Sequence, residues 1–168
     1  MLYFIEIKKR INHSNGQNTT NNLLGNFMSD REILFSTNNI VFYIDETVPC
    51  LINEWRGFIK SSDFRSGILK LLAVYKEQQP HYQTLYLLAD TRTLGVISRE
   101  DLAWVTEEIN PQYVALGTHY EAFVVSKDAF GQISLNRYMV STTKKGNFTV
   151  QIFDTMEDAK AWLRSLTI

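Results

Sequence analysis

Apolar and polar positions follow two rhythms along the chain, and each change of rhythm marks an element. Within the stretch from Tyr82 to Trp104, a continuous apolar run over residues 85–89 stops at Asp90, and an acidic helical pattern restarts at Ser98. This predicts a buried strand, a loop and a helix. Asp90 and Arg92 then fall at the strand's carboxyl end, where open α/β sheets gather polar groups over a rigid base. Upstream, the apolar runs at residues 40–44 and 50–56 are separated by Asp45-Glu46-Thr47-Val48-Pro49 and predict an antiparallel pair ended by Gly57. Phe64, Ile68, Leu71, Leu72 and Tyr75 then paint one face of a helix over residues 62–78. Lys70, Lys76 and Glu77 lie opposite, and Pro80 bars its continuation.

Ser98 with Asp101 makes a capping box, and Glu100 and Asp101 favour the positive end of the helix dipole. Leu102, Val105 and Ile109 face inward, Asn110-Pro111 interrupts or bends the helix, and Gly117 stops it. A buried strand follows at residues 122–125, then a helix over 128–140 carrying Phe130, Ile133, Tyr138 and Met139. Lys144 and Lys145 belong to a solvated loop before an edge strand at 148–153. Thr155 and Asp158 cap a last helix with the stripe Ala159, Trp162, Leu163 and Leu166. The expected fold is α/β, a mixed, mostly parallel sheet of about five strands with alternating helices. If successive strands are neighbours, the crossover helices share one face. The other face then needs the tail, the first hairpin or a partner to cover it.

Composition changes the picture at the amino end. Residues 8–30 hold Lys8-Lys9-Arg10 and an Asn-rich polar run with too little apolar surface to offset ordering entropy. Residues 1–30 are therefore expected as a mobile tail, with Met28-Ser29-Asp30 resembling a protein start, and residues 31–168 as a single domain. The 45% hydrophobic content of the 168 residues suits a globular core. A net charge of −1 without a basic stripe argues against a nucleic-acid surface. No apolar run approaches the roughly 20 residues of a membrane-spanning helix, and residues 1–7 are too short for a signal core. The lone Cys50 reads as a small buried strand residue, and the expected location is cytoplasmic.

Candidate chemistry is sparse. A Gly-x-Ser-x-Gly elbow, a Cys-x-x-Cys or His-x-x-x-His metal spacing and a Gly-rich phosphate loop are all absent, so no catalytic residue, metal or cofactor is assigned. His13 lies in the polar tail, and His81 and His119 stand just before strands with no identifiable partner. Asp90 and Arg92 either close the strand-end loop as an ion pair or address a polar ligand. Trp55, Trp104 and Trp162 are core anchors or, where exposed, contact points for a partner.

The run Leu-Leu-Ala-Asp-Thr-Arg at residues 87–92, followed by Ile-Ser and a Trp-bearing helix, resembles the STAS-like (SpoIIAA-like) fold family. Ala-Phe-Val-Val-Ser-Lys-Asp-Ala-Phe at residues 122–130 and the terminal helix with Asp158, Ala159 and Trp162 extend the resemblance over about residues 33–168. It points to the small stand-alone bacterial members and to the group that includes the sporulation anti-sigma-factor antagonist. Such antagonists carry a phosphorylatable serine in an Asp-Ser-Ser-Gly run at a helix start. Here the matching run is Ser98-Arg99-Glu100-Asp101, with Arg99 in the serine's place, so that regulation is not inherited and Ser98 reads as a cap. The resemblance implies a non-enzymatic regulatory domain that meets another protein, or a second copy of itself, through Asp90, Arg92, Ser98, Arg99, Glu100 and Trp104. Because the same fold occurs in lipid carriers, it also implies an alternative: a small apolar ligand held between the sheet and helix 62–78 or 128–140. An enzyme working through His81 or His119 ranks third.

Overall fold

Short connections force antiparallel pairing and helical crossovers force parallel pairing, and this chain uses one and then the other. The computed structural model describes residues 32–126 and 148–166. The expected tail over residues 1–30, the helix over 128–140 and the loop with Lys144 and Lys145 lie outside the described residues. Within them, β1 (Ile33–Ser36), β2 (Ile40–Asp45), β3 (Cys50–Gly57), β4 (Tyr86–Leu94), β5 (Tyr120–Val124) and β6 (Thr149–Phe153) form one sheet in sequence order. The pairs β1–β2 and β2–β3 are antiparallel, and β3–β4, β4–β5 and β5–β6 are parallel. The sheet thus has six strands rather than five, the addition being the four-residue β1 at one edge, too short to show a period.

Helix α1 (Ser61–Gln78) crosses from β3 to β4 and ends in a 3-10 turn, Gln79–His81, that contains Pro80. Between β4 and β5 the chain forms α2 (Arg99–Trp104), a π turn (Val105–Ile109) and α3 (Asn110–Ala115) as one bent helical segment. Pro111 has no N–H to give, and the Asn110 N–H reaches five residues back to the Val105 carbonyl. The proline therefore leaves the helical segment unbroken. Gly117, at φ 88°, closes α3 as Gly117 N–H bonds Val114 O and Thr118 N–H bonds Tyr113 O.

Strand alternation splits the core in two. Phe42, Leu51, Trp55 and Leu87 face α1 and the α2–α3 segment, together with Phe64, Leu71, Tyr75, Val105, Ile109 and Tyr113. Tyr43, Cys50, Ile52, Tyr86, Leu88, Ala122 and Val124 face the terminal helix α4 (Met156–Ser165), which supplies Ala159 and Leu163. The second face is thus covered by α4, helped by Val48 from the β2–β3 hairpin.

Two contacts fix the spacing of these layers. A Cβ on Gly67 of α1 would lie 2.6 Å from Ile40 Cδ1 and 2.9 Å from Trp55 Cη2, so α1 sits on the sheet at a distance that glycine permits. On the other face, Lys160 of α4 pairs with Asp45 at the end of β2 at 2.5 Å. Burial alone would raise the Asp45 carboxyl, but hydrogen bonds from Lys160 and Thr47 outweigh it and hold the group at about 2 against an ordinary 3.8. Beside it, burial pushes the Cys50 thiol up to about 12, as suits an inert core residue.

A carboxyl group depressed in the folded state stabilises the fold above its unfolded value, and that stability is lost as pH falls through the folded value. The Asp45 drop is worth roughly 2 kcal/mol. Asp45→Asn should therefore lower the unfolding free energy at pH 7 by about that amount, with the difference from wild type closing between about pH 4 and pH 2. Urea unfolding across this range reads it, and a gap independent of pH would contradict the assignment.

Candidate functional site

Strand β4 runs through Asp90 and Arg92 to Leu94, so these residues lie in a strand rather than in the expected loop. A bulge pairs Glu54 with Asp90 but Arg56 with Thr93, adding one residue to β4 at this point. Arg92 Nε and Nη2 bind the two Asp90 carboxyl oxygens at 2.9 and 2.7 Å. This closed fork lies near Glu54 and Glu157 of α4, whereas Ala89 and Thr91 line the cavity on the other face. Ser98, Arg99, Glu100 and Trp104 belong to the opposite, α2 face. The structure therefore divides the sequence-derived candidates between two faces of one sheet edge.

Ser98 caps α2: its Oγ accepts from Asp101 N–H at 3.1 Å and lies 2.9 Å from Asp101 Oδ2. Arg99 and Glu100 are exposed. Trp104 is half-buried, with the Arg65 guanidinium 5.1 Å above its ring. Asp101, assigned from sequence only to the cap, is the hub here. It is 3% exposed and receives Arg65 Nε at 2.6 Å and Ser61 Oγ at 2.8 Å, which ties the start of α1 to the start of α2. Burial would raise its carboxyl, and the bonds from Arg65, Ser61 and Ser98 together hold it below the usual range.

Behind this tie, between the sheet and α1 with α2–α3, lies a cavity of about 100 Å³. Its walls include Trp55, Phe64, Leu71, Val105 and Ile109, and it extends toward the more accessible Leu94, Gly95 and Leu102. Five polar side chains interrupt the apolar lining: the half-buried Thr91 and the buried Asn53, Asn110, Tyr113 and Glu121. Asn53 is engaged, its Nδ2 donating to Leu88 O at 3.0 Å while its Oδ1 accepts from Trp55 Nε1 at 2.7 Å. Tyr113 packs edge-on to Tyr75 with ring centres 5.2 Å apart. Its hydroxyl, unlike those side chains, is buried with no hydrogen-bond partner among the described residues. Burial, then the neighbouring Glu121 and Tyr75, push this hydroxyl well above its ordinary value, so it keeps its proton.

None of the buried four stood out in the sequence as a site residue, although Asn53 carries a signal. It occupies an inward strand position between Leu51 and Trp55, where the two-residue period calls for an apolar side chain. His81 and His119 are exposed at the amino-terminal ends of β4 and β5, the opposite sheet edge from Asp90. Among the described residues no group of three or more His, Cys, Asp or Glu could hold a metal ion, and no helix is long and apolar enough to cross a membrane. No family model, curated protein or solved structure matches the chain.

The Asp101 hub gives a direct test of what holds the cavity wall. Asp101→Asn leaves the Arg65 charge beside a neutral amide and should cost about 2 kcal/mol of stability in urea unfolding at pH 7. A change below a few tenths would show that the tie between α1 and α2 is not what positions the wall.

Proposed function

We propose that the chain is a non-enzymatic, STAS-like α/β domain that holds a small, largely apolar ligand between its sheet and α1–α3. The cavity carries this reading: it is apolar, walled by aromatic rings and supplied with a few converging polar groups, the usual composition of a small-molecule site. The sequential strand order, with the two described helical crossovers, α1 and α2–α3, on one face, supports the STAS-like assignment. Ala89, 2% exposed on β4, lines the cavity and provides the test. Native mass spectrometry of the full chain purified without denaturant should show a discrete added mass that denaturation releases. Ala89→Leu, which fills the space with three further carbons, should remove that mass while the chain stays folded. Repeated spectra of bare wild-type protein would contradict the proposal.

A second reading, the regulatory interaction surface, is favoured by one observation. Phe58 and Val96 are 76% and 63% exposed, on adjoining loops joined by Gly95 N–H to Gly57 O at 2.9 Å. They flank the route from β4 to Arg99 and Glu100, and an apolar pair beside charged side chains suits a protein partner or a second copy of the chain. Sedimentation of concentrated protein should reveal self-association that Phe58→Ser removes without altering thermal unfolding. A monomer indifferent to the change would exclude self-association through this surface.

A further inference from the structure

We infer that the outer face of α1 is where two copies of the chain meet, helix against antiparallel helix, with Asp63 of each copy paired to Lys70 of the other. The inference is independent of the cavity and of the loops that carry Phe58 and Val96. It starts from what α1 shows to solvent. The face turned away from the sheet carries Ser62, Ser66, Leu69 and Ala73, all exposed, at the alternating four- and three-residue spacing that draws a narrow stripe along one side of a helix. Leu69 is 52% exposed, at a position where the solvent face of an amphipathic helix ordinarily carries a polar side chain. Its neighbours on the stripe end in a hydroxyl or a methyl, so no long side chain stands between Leu69 and an approaching helix.

Charge selects the occupant. Asp63 and Lys70 lie on the same flank of the stripe, each directly after one of its members, and two turns of helix, about 10 Å, separate them. Neither has an ion-pair partner among the described residues. Asp63 takes a bond from Ser62 Oγ at 3.3 Å, and the Lys70 ammonium rests 5.7 Å from the centre of the Phe35 ring. A two-fold axis makes every contact occur twice with the roles exchanged. In an antiparallel pair, Ser66 stands opposite the second copy's Leu69 and Ser62 opposite its Ala73, so each leucine packs over a small residue. The same register brings Asp63 beside the second copy's Lys70, and Lys70 beside its Asp63. A parallel pair would instead set Arg65 against the second copy's Lys70, like charge against like. In the antiparallel pair Arg65 stays on the other flank, engaged by Asp101 and Trp104. One helix pair is a small interface beside the roughly 1,600 Å² of standard complexes, so the dimer is a weak one that forms at high micromolar protein.

The test is sedimentation equilibrium of the full chain over a dilution series from millimolar to low micromolar protein. Asp63→Lys and Lys70→Asp each turn two attractions into two repulsions, and each should weaken the dimer about tenfold, the scale of two exposed ion pairs reversed in sign. The double variant exchanges the charges, rebuilds both pairs and should return the affinity to within about threefold of wild type. Salt raised to physiological strength should weaken the wild-type dimer as well. A wild type that stays monomeric at millimolar concentration, or a double variant no better than the singles, overturns the inference. So does a dimer that Phe58→Ser abolishes, since that places the contact on the loop surface. If a charge variant does not fold, the salt series on wild type decides, and a dimer indifferent to salt refutes the pairing.

Discussion

The close seating of α1 on β3 sets the geometry from which the rest follows. Gly67 lets the helix approach until its backbone meets Trp55 and Ile40, and the rings of Phe42, Trp55 and Phe64 stack through the contact at centroid separations of 6.0 and 5.4 Å. The neighbouring helical segment passes from α to π and back to α before Pro111. Asp101 and Arg65 pin the two together at one end. The space between is the cavity. It arises from a glycine, a proline and an ion pair, each of which acts on helix position rather than on the cavity itself.

The opposite face has the reverse character. Its apolar cluster is closed by small and medium side chains, Cys50, Ala122, Ala159 and Leu163 among them, and its polar groups pair with each other. Tyr43 donates to Glu54 at 2.8 Å, Arg56 pairs with the same carboxylate, and Arg92 forks onto Asp90. Trp162 leans on Tyr120 and Phe153 at 6.1 and 5.6 Å. The cavity lies on the other side, between the sheet and α1–α3.

Much of the architecture was legible because it rests on local rules. The two-residue period of residues 50–56, the 3.6-residue period of α1 and the caps Ser98 and Thr155 each report a short-range constraint, and the structure has each element in place. The strand β1 was not legible, since four residues hold no period and its pairing depends on β2. Nor could periodicity show that β4 continues past Asp90, because the polar run Asp90-Thr91-Arg92 is held as strand by the bulged ladder to β3. The site was the least legible part. Asp101 looked like an ordinary capping residue because its bonds to Ser61 and Arg65 span 40 and 36 positions of sequence. Tyr113 looked like one more helical aromatic.

Two tyrosines in the same core differ in how their hydroxyls are met. The Tyr75 hydroxyl lies 2.7 Å from Leu85 O and meets the Thr118 hydroxyl, so its burial is compensated within the fold, and Thr118 reaches the same carbonyl at 2.9 Å. The Tyr113 ring packs edge-on against it, yet its hydroxyl has no hydrogen-bond partner among the described residues. Leaving a buried hydroxyl unsatisfied costs about 1–3 kcal/mol, and a phenylalanine would keep the ring contact without that cost.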